Sequence, residues 1–172
     1  RDGYKNLSFS SRLGYEPAKN LQVNLTTRYL RTRTDLDNFG GPYGDDPNSS
    51  QRYDSLFVKG EARGRFLNNR LESKLGLAFI RSDRKNDNPV DESHPYDLDK
   101  GSYQSTMAKL DWQNSVFLHA SNTLTFGVEF EREAGESEYE SAGVWGPSLN
   151  VFPRQKTSGV GIYIQDQVRL GG

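Results

Sequence analysis

Residues 56–79, LFVKGEARGRFLNNRLESKLGLAF, decide the fold that we predict for this chain. Before the Asn68-Asn69 pair, small or apolar residues alternate with charged ones, and a similar alternation resumes after it. Side chains of an extended strand point to opposite faces with a period of two, and asparagine tolerates left-handed turn geometry. The stretch therefore predicts a β-hairpin with one small or apolar face and one face that carries both signs of charge.

Charged residues of this hairpin and of a later strand are expected to share one face and to line water. They are Lys59, Glu61, Arg63, Arg65, Glu72, Lys74, Glu129 and Glu131. Such a sheet occurs in water-soluble proteins, and it also occurs in membrane barrels, where it separates lipid from an aqueous lumen. A barrel lining carries carboxylate pairs by default, so we predict that the chain is not an enzyme.

Composition narrows the class of protein. The 172 residues hold 22 Lys and Arg against 23 Asp and Glu, and the net charge of −1 gives no electrostatic reason to expect a nucleic-acid partner. There is no cysteine, which excludes disulfides and thiolate metal sites. Hydrophobic content is 33%, low for a chain that buries its own core, whereas 12% aromatic residues and 17 glycines argue against disorder. We therefore expect an apolar face that is turned toward something other than a packed interior.

Alternating segments along the chain predict an all-β fold, an antiparallel up-and-down meander of about seven long strands. Short turns near Pro17, Asn68 and Ala120 alternate with predicted long loops at residues 35–52, 86–100 and 141–156. In a meander, alternate connections lie at the same end of the sheet. Several strands run for about 12–16 residues, more than the mean of about 5–6 in globular proteins. Short turns at one end and long loops at the other are typical of a transmembrane β-barrel.

Three short motifs carry a resemblance to a known family. They are Asp2-Gly3-Tyr4-Lys5-Asn6, the run LDWQN at 110–114 and the run GIYIQDQ at 161–167. With their order and strand placement, the chain resembles the barrel of TonB-dependent outer-membrane receptors, especially the branch that takes up cobalamin and siderophores.

The resemblance implies a 22-stranded barrel closed by an N-terminal plug, of which about seven strands are near a third. Residues 1–172 are therefore expected to form a partial barrel domain, without the plug and the remaining strands. The implied partners are outer-membrane lipid, a scarce nutrient such as cobalamin or an iron–siderophore, and TonB, reached only through the absent plug. The implied location is the outer membrane of a Gram-negative bacterium. The open sheet edges would be completed by missing strands, by self-association with another copy, or not at all.

Two groups of loop residues are candidate sites. Carboxylates of the first loop, with their several oxygen atoms, are a candidate calcium site, an idea that the resemblance to cobalamin receptors strengthens; they are Asp35, Asp37, Asp45 and Asp46. The acidic residues of the second loop are a weaker candidate. Exposed aromatic residues are common binding anchors, and those of the loops are candidates for stacking on a captured ligand; they are Tyr43, Tyr96, Trp145 and Phe152.

Two alternatives remain open from the sequence. One is a small, complete eight-stranded outer-membrane barrel with a structural or adhesive role, which needs an even number of strands. The other is a soluble β-sandwich that acts as a binding module. Dependence on detergent separates both barrel interpretations from the sandwich.

Overall fold

The computed structural model describes residues 3–39 and 45–170. These residues form one antiparallel sheet of seven strands, in which each strand pairs with its neighbours in sequence. The strands are β1 (Tyr4–Ala18), β2 (Leu21–Phe39), β3 (Asp45–Phe66), β4 (Leu71–Asn88), β5 (Leu98–His119), β6 (Asn122–Gly143) and β7 (Gly146–Val168). The predicted fold class, an up-and-down meander of seven long strands, is confirmed. Over the described ranges, we find no helix with the length and apolar character needed to cross a membrane.

Strand register separates the two faces as the alternation predicts. One row of cross-strand partners runs Leu13, Leu25, Gly60, Leu77, Leu110, Phe130 and Val160. The adjacent row, on the other side of the sheet, runs Gly14, Asn24, Glu61, Gly76, Asp111, Glu129 and Gly161. We call the side of the first row the apolar face and the side of the second row the polar face.

The apolar face is not covered by any part of the chain that the structure describes. None of its hydrophobic side chains is buried, and Leu75, Phe126 and Ile162 are 42%, 40% and 83% exposed. A folded soluble domain normally removes such side chains from water, because their burial drives folding. The described sheet therefore has an apolar face but buries none of it in a core, which agrees with the low hydrophobic content.

The turn between β3 and β4 has the predicted left-handed geometry and extends it by one residue. Asn68 and Asn69 have φ angles of 55° and 66°, and Leu67 before them has a φ of 54°. The backbone N–H of Arg70 donates to the Leu67 carbonyl oxygen at 3.1 Å and closes the turn. Asparagine accepts this conformation far more readily than other L-residues, which explains the pair of them here.

The predicted long loops are largely wrong. Strands of 18–23 residues continue through most of residues 35–52 and 141–156, and a two-residue connection joins β6 to β7. Residues 89–97 are the exception, since they form a true connection between β4 and β5. Loss of the apolar pattern misled the prediction, because a strand needs only its ladder hydrogen bonds and neighbours, whereas an apolar face is needed only where water is absent.

Strands β1 and β7 form the two edges of the sheet. Every residue of β7 is exposed. The sheet is therefore open, with a row of unpaired backbone groups along each edge.

Candidate functional site

Ion pairs hold the polar face together across neighbouring strands. Glu72 of β4 accepts from Arg63 at 2.7 Å and from Arg65 at 3.1 Å. A parallel arrangement joins Glu61 to Lys59 and Lys74 at 3.2 and 3.3 Å. All the charged residues predicted for this face lie on it, and each has an oppositely charged neighbour.

Farther along the sheet, Lys109 of β5 completes the pattern. Its ammonium group lies 2.7 Å from a Glu129 carboxylate oxygen and 3.7 Å from one of Glu131. The two glutamates therefore share a lysine, and nothing in their geometry sets them apart as an acid and base pair. Exposed ion pairs of this kind contribute little individually, about 0–1 kcal/mol each.

Above the apolar rows, toward the connections at 39–45, 88–98 and 143–146, the apolar face carries a belt of ion pairs that we call the collar. It consists of Arg31, Arg52, Asp54, Arg81 and Asp83. Asp54 accepts from the Nε atoms of Arg31 and Arg52 at 2.5 and 2.7 Å, and the Arg81 Nε donates to Asp83 at 2.8 Å. The collar lies in the three cross-strand rows just beyond that of Val58 and Phe79, the last row on this side in which β2, β3 and β4 carry no charged residue.

The electrostatics of the collar centre on Asp54. Partial burial raises its pKa, but hydrogen bonds from Arg31, Arg52 and Tyr29 outweigh this effect and lower the pKa to about 2. The Tyr29 hydroxyl donates to the same carboxylate at 3.1 Å, and the Arg31 guanidinium lies 5.8 Å from the centre of the Tyr29 ring. A tyrosine thus sits where the apolar rows meet the charges, the position that interfacial aromatics prefer.

A second cluster lies where the start of β3 meets the connection between β4 and β5. Asp46 is fully buried and His94 is 3% exposed. The His94 Nδ1 lies 3.3 Å from an Asp91 carboxylate oxygen and 3.8 Å from one of Asp46. The Asn88 amide nitrogen donates to the other Asp46 oxygen at 2.9 Å. One potential ligand atom from each of Asp46, Asp91 and His94 lies within 4.8 Å of the others.

Backbone groups orient this cluster. The N–H groups of His94 and Ser93 donate to one Asp91 oxygen at 2.6 and 2.7 Å. The hydrogen bond from the His94 N–H, together with those of Ser93 and the imidazole, lowers the pKa of Asp91 despite some desolvation. The Asn48 amide donates to the second Asp91 oxygen, and the Asn48 N–H donates to Asp46 at 3.1 Å. These bonds hold both carboxylates in fixed orientations.

The residues predicted as a calcium site are dispersed along the hairpin of β2 and β3. Asp35 pairs with Arg33 at 3.0 Å and is the cross-strand partner of Ser50, four residues from Asp46 on β3. At about 3.3 Å per residue, that spacing is about 13 Å along the strand. Asp37 lies on β2 between them, and the side chain of Asp45 lies outside the described residues. The structure brings Asp46 together with Asp91 and His94 rather than with Asp35.

The predicted ligand-binding aromatics occupy three places. Trp145 is 98% exposed at the tip of the β6–β7 hairpin, and Tyr96 is 51% exposed in the β4–β5 connection. The Tyr96 carbonyl oxygen lies 3.6 Å from the position of a Cβ built on Gly143, so the two segments meet at one corner. Phe152 lies on β7, where it lines a shallow pocket with Ile80 and Met107. Tyr43 lies outside the described residues.

Solved structures identify the architecture. The ferric yersiniabactin uptake receptor FyuA of Yersinia pestis superposes with a TM-score of 0.75 at 13% identity, over 98% of this chain and 26% of that receptor. The chain therefore has the same fold as a segment of this TonB-dependent receptor. The ferric-catecholate import receptor Fiu of E. coli K12 also matches. Its open and closed forms give TM-scores of 0.58 and 0.62, at 13% and 14% identity, over 94% and 96% of this chain.

The chain spans about a quarter to a third of the length of these receptors, 26–32%. No protein-family model matches it, and no curated protein matches it either. The solved neighbours are transport receptors and not enzymes, which agrees with the prediction that the chain is not an enzyme.

Sequence reasoning missed the collar, and it named Asp46 and the acidic residues of the second loop as separate metal candidates without joining them to His94. The collar had a signal, because the charges at Arg31, Arg52 and Asp54 occupy the parity of the apolar residues on their strands. The cluster had none, because Asp46 and His94 are 48 positions apart and belong to different predicted loops.

Proposed function

We propose that this chain forms part of the wall and mouth of a TonB-dependent transporter that takes up a ferric chelate across the outer membrane of a Gram-negative bacterium. One observation carries the proposal: an apolar face that no described residue covers runs across all seven strands, on a sheet with the fold of such receptors. The named ligands of the solved neighbours, ferric yersiniabactin and ferric catecholates, favour an iron chelate over cobalamin.

The apolar face has the height that a bilayer requires. On β3 it extends from Leu56 to Phe66, and a transmembrane strand needs about 9–11 residues. The collar begins at one end of this span, where strands leave hydrocarbon and charges regain water. We infer that outer-membrane lipid covers the apolar face, whereas the ion-paired polar face lines an aqueous lumen. A β-sandwich would instead need a second sheet against this face, and the described residues form one sheet.

The open edges and the short length of the chain mean that further strands are needed to close a barrel. In lipid, every backbone polar group must find a partner, so an open seven-stranded sheet is not a stable end state. We propose that strands from outside this chain pair with β1 and β7 and close the barrel. Pairing of the edges between copies is the alternative. TonB would act through a plug that is also outside residues 1–172.

Capture of the nutrient is assigned to the aromatic residues of the mouth. Trp145 and Tyr96 project at one corner, and Tyr43, which lies outside the described residues, is a further candidate. Phe152 lies on the strand that follows Trp145, where its pocket would receive a ligand that has left the tip. Aromatic anchors suit a planar or aromatic chelate, because stacking adds to the free energy of burial.

The test uses the full-length receptor, expressed in cells that lack their own ferric-siderophore receptors. The double variant Tyr96→Ala/Trp145→Ala should weaken binding of a ferric siderophore roughly tenfold or more, since each anchor contributes more than about 1 kcal/mol. Binding is measured with radioactive iron, with cobalamin as a second ligand. Trp112→Phe, on the apolar face away from the mouth, is the matched control and should bind normally. Unchanged binding by the double variant would remove these residues from the site, and cobalamin uptake without iron uptake would reject the ferric chelate.

A further inference from the structure

The most completely buried side chain among those described belongs to Asp46, an acid, in a sheet without a hydrophobic core. Two other polar residues beside it, Asn88 and His94, are 2% and 3% exposed. Buried carboxylates are rare unless they are paired with a cation or coordinate a metal, because removal of a charge from water is costly. The burial at this place therefore calls for a positive partner.

Among the described residues, no Lys or Arg forms an ion pair with Asp46 or Asp91. The ion pairs of Asp46 and Asp91 involve only His94, which is a cation only when it is protonated. Two carboxylates thus converge on one imidazole. With a neutral imidazole, the cluster holds two negative charges and no positive one.

Unsatisfied atoms of the same residues point to a missing ligand. The Asn88 Oδ1 and the His94 Nε2 are buried and have no hydrogen-bond partner. The Asn88 amide cannot be turned around at no cost, because its nitrogen already donates to Asp46 and to the Asp97 carbonyl oxygen, each at 2.9 Å. Its oxygen is therefore left as a free acceptor, next to a buried carboxylate. An uncompensated buried acceptor costs about 1–3 kcal/mol, and a cation would satisfy it.

We propose that Asp46, Asp91 and His94, with the Asn88 amide oxygen as a further donor, bind a divalent transition-metal ion of the Zn²⁺ class. Imidazole nitrogen and carboxylate oxygen together suit Zn²⁺ and similar borderline ions, whereas Ca²⁺ takes six to eight oxygen ligands. The three ligand atoms lie within 4.8 Å of one another, so small side-chain shifts bring each to about 2.0–2.2 Å from a common centre. This set differs from the predicted calcium residues in all but Asp46, and the calcium site stays a prediction.

The bound ion would fasten two segments of the mouth. Asp46 lies at the start of β3, whereas Asp91 and His94 lie in the connection between β4 and β5. Around the cluster, Asn48 donates to both carboxylates, and the N–H groups of Ser93 and His94 fix Asp91. Oriented outer partners of this kind are typical of metal sites, where they hold the ligands in place. The clamp would set the position of the connection that carries Tyr96.

Isothermal titration of the full-length receptor, folded in detergent, with ZnCl₂, and separately with CaCl₂, tests the proposal. We expect one Zn²⁺ to bind at this cluster, with an affinity lower by roughly 100-fold in His94→Ala and Asp46→Asn. His119→Ala is the matched control, because the only other histidine lies beside the short β5–β6 turn at the opposite end of the sheet. It should bind Zn²⁺ as the wild type does.

Ring-nitrogen NMR of the two histidines in the wild-type protein covers the case in which a variant fails to fold. Addition of Zn²⁺ should shift a His94 ring nitrogen and leave those of His119 in place. Absence of Zn²⁺ binding, binding that survives His94→Ala, or binding of Ca²⁺ alone would each overturn the proposal.

Discussion

At the scale of single residues, Gly127 shows how tightly the polar face is packed. A Cβ at this position would lie 2.6 Å from the Cζ atom of Tyr163 and 2.8 Å from the carbonyl oxygen of Trp112. Tyr163 is the cross-strand partner of Gly127, and its hydroxyl donates to the Gln113 side chain at 3.1 Å. The ring therefore lies across the glycine and is held there. Glycine is needed here for close approach and not for a turn.

Gly127→Ala is expected to destabilise the protein by about 1–3 kcal/mol, the usual cost of forcing extra volume into a packed place. The backbone oxygen of Trp112 cannot move aside as a flexible side chain would. Gly159→Ala is the control, since a Cβ there meets nothing within 4 Å. The free energy of unfolding in urea, measured in detergent, should fall only for Gly127→Ala. Equal effects of the two substitutions would contradict the packing described here.

Individual contacts were predictable only where they follow from strand parity. The ion-pair partners of Glu61 and Glu72 lie on the same face as these glutamates, either two residues away on the same strand or on the neighbouring strand of the hairpin. The alternating pattern therefore already places them where they can meet. The contact between Asp46 and His94 depends on how residues 89–97 fold back over β3. Periodicity carries no information about such a connection.

At the scale of elements, the strands continue well past the apolar face. The row of Thr32, Tyr53, Arg84 and Tyr103 remains fully paired beyond it. The sequence predicted the number of strands, their order and the face of each side chain. It did not predict their length, because the strands continue after the apolar pattern has ended.

The collar is expected to make stability depend on pH. Because the pKa of Asp54 is lowered to about 2 in the folded state, its contribution is complete above the usual aspartate pKa, and it is lost as the pH falls toward 2. Wild type should therefore lose more stability between pH 5 and about 2 than Asp54→Asn does, in urea unfolding at fixed salt. Asp166→Asn, at a carboxylate with no ion-pair partner across residues 3–39 and 45–170, is the control. An identical loss in wild type and Asp54→Asn would show that the pairs with Arg31 and Arg52 are not formed.

At the scale of the whole molecule, the described residues form no hydrophobic core, and the proposed function gives the two faces of the sheet different surroundings, lipid and water. Cross-strand rows alternate between leucine, valine and phenylalanine on one side and paired charges on the other. None of the described hydrophobic side chains is buried, so under the proposed function the apolar face would depend on lipid for its stability. The open edges at β1 and β7 likewise need partners for their unpaired backbone hydrogen-bonding groups. Composition alone indicated this arrangement, because 33% hydrophobic residues are too few for an interior and sufficient for one face.

The two tryptophans test this arrangement most directly. Trp112 lies on the apolar face in the row of Leu75 and Ile162, whereas Trp145 lies at a hairpin tip. In vesicles with brominated acyl chains, Trp145→Phe, which retains Trp112, should lose most of its fluorescence. Trp112→Phe, which retains Trp145, should be quenched by aqueous iodide instead. Quenching of Trp112 by iodide with no effect of brominated lipid would contradict a wall between lipid and water.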